Sequence, residues 1–252
     1  LEIASRGASA GLTDAATSTR VLAAILNAFG KEAYTPAQAM DILFKTVDQG
    51  VITFGELAGS LGYVTPLAAA LKVPLAEVGA AIAIMTRAGM DASMTMTSLN
   101  SILSNILTPS KEAADLAASL GLQWNAAAVQ NKGLVTVLNE MIVATGGSAE
   151  SMGVLLSDVR AIRGALSLAK GGGAEFNAML GVMEAASEGA GATAEALAEQ
   201  SKSLAFQWRE LRVRTQAYVI EGLDPVIEAL KLVIEAINTV SGSLSRHKEI
   251  LI

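Results

Sequence analysis

Residues 66–122 constrain the fold most, because they read as a train of short helices, each with its own start and stop signal. Leu75, Val78, Ala81, Ile82 and Met85 recur at helical spacing, and Gly89 follows as the stop. Asp91 then caps a second helix, whose apolar stripe runs through Met94, Leu99, Ile102, Leu103 and Ile106. Thr108 and Pro109 open a third, which ends at Leu120–Gly121. A polar residue ahead of the run, proline in the first turn and glycine just past the end satisfy or remove the backbone groups that a helix leaves unpaired at its termini. No side chain in this run suggests catalysis.

The same punctuation extends along the chain. Thr13 can cap a helix to Phe29, stopped by Gly30. Thr35–Pro36 with Gln38, and Thr53 with Glu56, have capping-box spacing for helices ending at Gly50 and before Gly62. Thr65–Pro66 starts another, ending near Lys72 before Pro74. Gln123–Lys132, with Trp124, reads as a polar and less regular stretch. Helices are expected again over 134–145, 149–156, 158–170 and 174–188, with a hinge at Gly171, Gly172 and Gly173. A long polar helix over 192–221 and a last one from Pro225 to about Val240 complete the pattern. No strand-like alternation persists, and the repeated Thr-Pro and Leu-Ala-x-Ser-Leu-Gly elements lack the constant spacing of a repeat array.

The expected fold is therefore all-α: a multi-helix bundle of short capped helices followed by longer, partly heptad-patterned ones. Hydrophobic residues make up 52% of the 252 and aromatics only 4%, a palette of small aliphatic side chains that suits helix packing better than a β-sandwich. Two regions emerge: a compact helical core domain over 11–170 and an extended helical region over 174–244. Within the second, Ile220, Leu223, Ile227, Leu230, Ile234, Ile237 and Leu244 follow three-four spacing, with Pro225 inside the pattern. With Ile227 and Ile234 at a, and Leu230 and Ile237 at d, the seam leans towards more than two strands, a trimer foremost. The other reading of this stripe is an amphipathic helix packed on its own domain.

Composition narrows the function. A net charge of −6 argues against a general nucleic-acid binder, which needs clustered Lys and Arg. The absence of cysteine removes disulfides, thiolate metal sites and thiol nucleophiles. Residues 64–85 are broken as a membrane span by Lys72, Pro74 and Glu77, and residues 223–240 by Asp224, Glu228, Lys231 and Glu235. A first residue other than Met suggests an excerpt of a longer chain.

No catalytic, cofactor-binding or metal-binding set is expected. His247 stands in a polar tail without carboxylate partners nearby in sequence, whereas metal and acid–base sites need several convergent groups. Asp41 with Asp48, and Glu184 with Glu188, read as solvated helix faces. KGGGAEF over 170–176 lacks phosphate-loop spacing. The basic cluster of Trp208, Arg209, Arg212 and Arg214 is interrupted by Glu210 and reads as a wet or interchain face. Met85, Met90, Met94 and Met96 suit an adaptable packing surface.

Three segments carry a resemblance to a known family: GLTDAATSTRVLAAILNAFG at 11–30, ALKVPLAEVGAAIAIMTRAGM at 70–90, and L-x-x-I-L-S-x-I-L-T-P-S-K-E-A at 99–113. The chain resembles the conserved core of phage tail tape measure proteins over roughly residues 10–190. It departs at Asn100, where that family has a basic residue, and at the Met-rich stretch around Met94 and Met96. The resemblance implies a structural protein in the tail tube lumen or tail tip of the virion, assembled in the host cytoplasm, that sets tail length and is released during DNA ejection. Its implied partners are tail tube and baseplate or tail tip proteins, with membrane contact only through segments outside this window. From composition alone, a helical-bundle adaptor or secreted effector module without catalytic activity fits nearly as well. A peptidoglycan hydrolase would need an acid–nucleophile or zinc constellation that the sequence does not display.

Overall fold

The computed structural model describes residues 15–30 and 32–189, all within one compact unit, Leu1–Ala198. Among the described residues are twelve α-helices and two 3-10 turns, and no strand. In chain order the helices are α1 (Ala15–Phe29), α2 (Pro36–Gln49), α3 (Phe54–Ser60), α4 (Thr65–Leu71), α5 (Leu75–Arg87) and α6 (Ala92–Leu107). They continue as α7 (Lys111–Ser119), α8 (Ala126–Lys132), α9 (Leu134–Ala144), α10 (Ala149–Leu156), α11 (Val159–Leu168) and α12 (Ala174–Gly189). The all-α expectation holds. The cap expected from Thr13, the helices over 192–221 and from Pro225, and the heptad seam all lie outside the described residues.

Local chemistry sets most boundaries as the sequence suggests. The Thr35 hydroxyl accepts from the Gln38 N–H while Gln38 Oε1 accepts from the Thr35 N–H at 2.9 Å. Thr53 and Glu56 repeat the exchange at the start of α3. Asp91 Oδ1 accepts from the Met94 N–H at 2.7 Å. Each cap answers an N–H that has no carbonyl one turn back.

Two boundaries differ from expectation. Thr108 closes α6 rather than opening α7: its N–H donates to the Ser104 carbonyl, and Pro109 disfavours helical backbone at the residue before it. Ser110 is the cap of α7, its hydroxyl accepting from Ala113. The stretch expected to be irregular contains α8, capped by Asn125, whose side chain accepts from Ala128. Trp124, immediately before it, is buried.

The core is organised around α5. Every residue from Leu75 to Thr86 is buried, so the apolar stripe expected on one face is part of a helix enclosed on all sides. Helices α2, α6, α11 and α12 pack around it. Its small residues make this feasible: Ala76, Gly79, Ala80, Ala81 and Ala83 let neighbouring backbones approach closely, while Val78, Ile82, Ile84 and Met85 fill the gaps between them. At Gly79 a Cβ would stand 2.5 Å from Thr46 Oγ1 and 3.3 Å from Ile42 Cγ2, both on α2.

The triple glycine, read from sequence as a hinge, is a packed 3-10 turn. Gly173 is buried, and a Cβ there would meet Val135 and Asn139 of α9 within 3 Å. After this turn α12 folds back across α2 and α5, burying Phe176, Met179 and Met183.

Gly79→Ala should lower unfolding stability by about 1–3 kcal/mol, because a methyl group forced into a filled contact outweighs the gain in helix propensity. Gly181→Ala, on the open face of α12 with nothing within 4 Å, should raise it by about 0.5–1 kcal/mol. Chemical denaturation of the two variants against wild type checks the contrast.

Candidate functional site

Several of the buried polar side chains hold helix ends. Glu77 projects from the buried stretch of α5, Leu75 to Thr86, and is 5% exposed. Its Oε1 accepts from the Leu134 N–H at 2.8 Å, and the carboxylate also accepts from Val135. These are first-turn donors of α9, whose cap residue, Gly133, has no side chain to satisfy them. A carboxylate fits there because the positive end of the helix dipole and two free N–H groups converge on it. Burial pushes the Glu77 carboxyl above its ordinary 4.5; the hydrogen bonds from Leu134 and Val135 oppose this, and the charge of Glu184 on α12 adds to the rise.

Similar remote caps hold other helices. The N-terminus of α5 follows Pro74, which has no capping side chain, and the Leu75 N–H donates instead to the Tyr34 hydroxyl at 2.9 Å. Tyr34 is half-buried, edge-on to Phe29 at 5.8 Å between ring centres, and burial raises its phenol pKa. Near the other end of α5, Thr86 accepts from the Val51 N–H at 3.1 Å and donates to the Ile82 carbonyl. At the end of α10 the Asn105 amide donates to the Leu156 carbonyl at 2.9 Å, and Ser157 donates to the Asn105 carbonyl oxygen.

Several sequence-based assignments fall differently. Asp41 is buried, 3% exposed, rather than on a solvated face. Asp48 is exposed, beside Lys45 at 3.2 Å, and Glu184 and Glu188 are exposed as expected. Met85, Met90 and Met96 are core residues, not an adaptable surface, and Met94 is half-buried with its sulfur 3.6 Å from the Arg163 guanidinium. The seam residues Ile220, Leu223, Ile227, Leu230, Ile234, Ile237 and Leu244 lie outside the described residues, as do Trp208, Arg209, Arg212, Arg214 and His247. Among the described residues no group of three His, Asp or Glu is placed to hold a metal. Nor is any described helix long and apolar enough to cross a membrane.

A family model for phage-related minor tail proteins matches residues 1–155. The chain belongs to this family. It is similar to a tape measure protein of Pneumococcus phage Dp-1, 31% identical over 111 residues, and to a probable tape measure protein of Clostridium phage phiCD119, 30% identical over 97. These alignments take in 44% and 38% of this chain but only 10% of each relative, so the match spans about a tenth of their length. No solved structure matches the chain. The resemblance to tape measure proteins read from the three motif segments thus agrees with the family and with both relatives, and the family match over residues 1–155 includes the remotely capped α5.

Glu77→Ala should cost about 1–3 kcal/mol, since it strands two buried N–H donors of α9. Glu77→Gln keeps an acceptor and should stay within about 1 kcal/mol of wild type at neutral pH. The two also separate by pH. The folded state holds the Glu77 proton more tightly than the unfolded chain, so this group's stabilising effect is full below 4.5 and declines as pH rises through the raised folded value. Asp48, Glu56 and Asp158 have lowered values and act oppositely, losing their contribution as pH falls. Denaturation series from pH 4.5 to 8 should show the wild-type decline flattened in Glu77→Gln.

Proposed function

We propose that this chain is a structural, non-enzymatic module of a phage tail tape measure protein, in the tail tube lumen or at the tail tip until DNA ejection. The carrying observation is the family match over residues 1–155 together with two relatives bearing that name. An all-helical body supports the role through simple geometry. A helix advances about 1.5 Å per residue, so a chain extended along a lumen converts residue count into distance linearly. Residues 15–189 fold back on themselves in twelve short helices and add little axial length for their number. Length-setting therefore belongs to extended helical segments of the parent chain, and this body serves as a local or terminal module that meets tail tube and baseplate or tail tip proteins. In-frame deletions and duplications in those extended segments should shorten or lengthen tails in proportion to the residues changed. Electron micrographs of mutant particles measure this, and tails of constant length would refute the ruler assignment.

Self-association through the seam of Ile220, Leu223, Ile227, Leu230, Ile234, Ile237 and Leu244 belongs to the same proposal, with a trimer as the favoured state. The a and d pattern of Ile and Leu supports it. Replacing Ile227 and Ile234 with Asp puts charge into the seam and should dissociate the oligomer while leaving the 15–189 body folded. Sedimentation velocity of wild type and double variant at equal concentration decides: two monomers make the stripe an intramolecular packing face, and two oligomers move the contact elsewhere.

A further inference from the structure

Helix α11 buries Ala161, Gly164, Ala165 and Leu168 and leaves Val159 and Leu166 exposed, with Ile162 half-buried between them, along one outer stripe at i, i+3 and i+7. Val159 is 73% exposed and Leu166 44%. The stripe faces a groove of about 720 Å³, walled by the end of α5 and the start of α12. Three cations edge it: Arg87, Arg163 and Lys170. Glu175, its one carboxylate, is already beside Arg87 at 3.6 Å. Among the described residues no carboxylate pairs with Arg163 or Lys170, in a chain of net charge −6.

We infer that this groove docks an acidic amphipathic α-helix of another protein, with aliphatic side chains on Val159, Ile162 and Leu166 and carboxylates towards Arg163 and Lys170. Scattered surface aliphatics are ordinary, but three in register beside Arg163 and Lys170, which have no carboxylate partner among the described residues, make a helix-in-groove pattern. The charge excludes a second copy seated on the same face, because a two-fold pairing would bring Arg87, Arg163 and Lys170 against their own equivalents. Nucleic acid is disfavoured by the aliphatic floor, by Glu175 and by the lack of an aromatic side chain for base stacking. The concavity suits a helix better than a bilayer surface, which a ten-residue α11 recessed beside α5 cannot enter along its length.

The test uses the full chain and a fluorescein-labelled synthetic amphipathic peptide of about 20 residues, carrying Leu at i, i+3 and i+7 and Glu on both flanks. A twin carries Lys in place of every Glu. By fluorescence anisotropy the acidic peptide should bind wild type at least about tenfold more tightly than the twin. Leu166→Asp should weaken the acidic peptide by about tenfold or more, and Arg163→Glu with Lys170→Glu should reverse the preference between the two peptides. All three substituted side chains are exposed, and circular dichroism checks that each variant folds. The inference is overturned if neither peptide binds, if both bind equally, or if the variants bind as wild type does. It is likewise overturned if duplex DNA or phosphatidylglycerol vesicles, tested alongside, bind through Arg163 and Lys170 while the acidic peptide does not.

Discussion

Enclosure of α5 from Leu75 to Thr86 is the constraint on which the rest of the body depends. A helix with no face to water must be apolar all round, or must give each of its polar groups a partner in the interior. The stretch from Leu75 to Thr86 does both. Its alanines and Gly79 bring α2 close, its larger aliphatic residues fill the spaces between neighbours, and its two buried polar side chains, Glu77 and Thr86, bind backbone elsewhere. Four helices are thereby obliged to surround it, which accounts for so many short elements in one bundle: each must cross a common axis and turn back.

Two polar contacts tie that helix to distant parts of the chain at fixed positions. Aliphatic packing tolerates small slips of one helix along another, whereas a hydrogen bond of 2.8 Å does not. The carboxylate of Glu77 sets where α9 begins, and the hydroxyl of Tyr34 sets where α5 begins. Both bonds join residues tens of positions apart, so they specify tertiary register rather than local helix formation. Desolvating Glu77 works against stability while its bonds to α9 work for it, a compromise often found where a buried charge fixes position.

Much of the local architecture could be read from the chain alone. Thr35 with Gln38, Thr53 with Glu56, and Asp91 announce their helices through side chains within three residues of the donors they satisfy. Such signals are short-range and survive any tertiary context. Asn125 followed by three alanines was also a readable cap, obscured by the polar residues after it. By contrast, Glu77 looked only like an interruption of an apolar window, because its partner lies 57 residues away and nothing local marks the need. Asp41 and the methionines misled for a similar reason: helical periodicity indicates which residues share a face, but not that both sides of a helix are covered. The α11 groove has no such local signal, because its walls come from α5, α11, the 3-10 turn and α12, which only the fold brings together.

The return of α12 across α2 and α5 gives the body a mechanical polarity. Thr46 of α2 and Met183 of α12 meet at 3.9 Å although 137 positions separate them. Tension applied to the chain beyond residue 189 loads the α12 interface before any other described contact, because α12 is the last described helix and covers two earlier ones. Peeling it away would open α5, buried from Leu75 to Thr86, so the first yielding step exposes apolar surface of the core. Separating α12 would uncover Phe176, Met179 and Met183 together with the face of α5 that they cover.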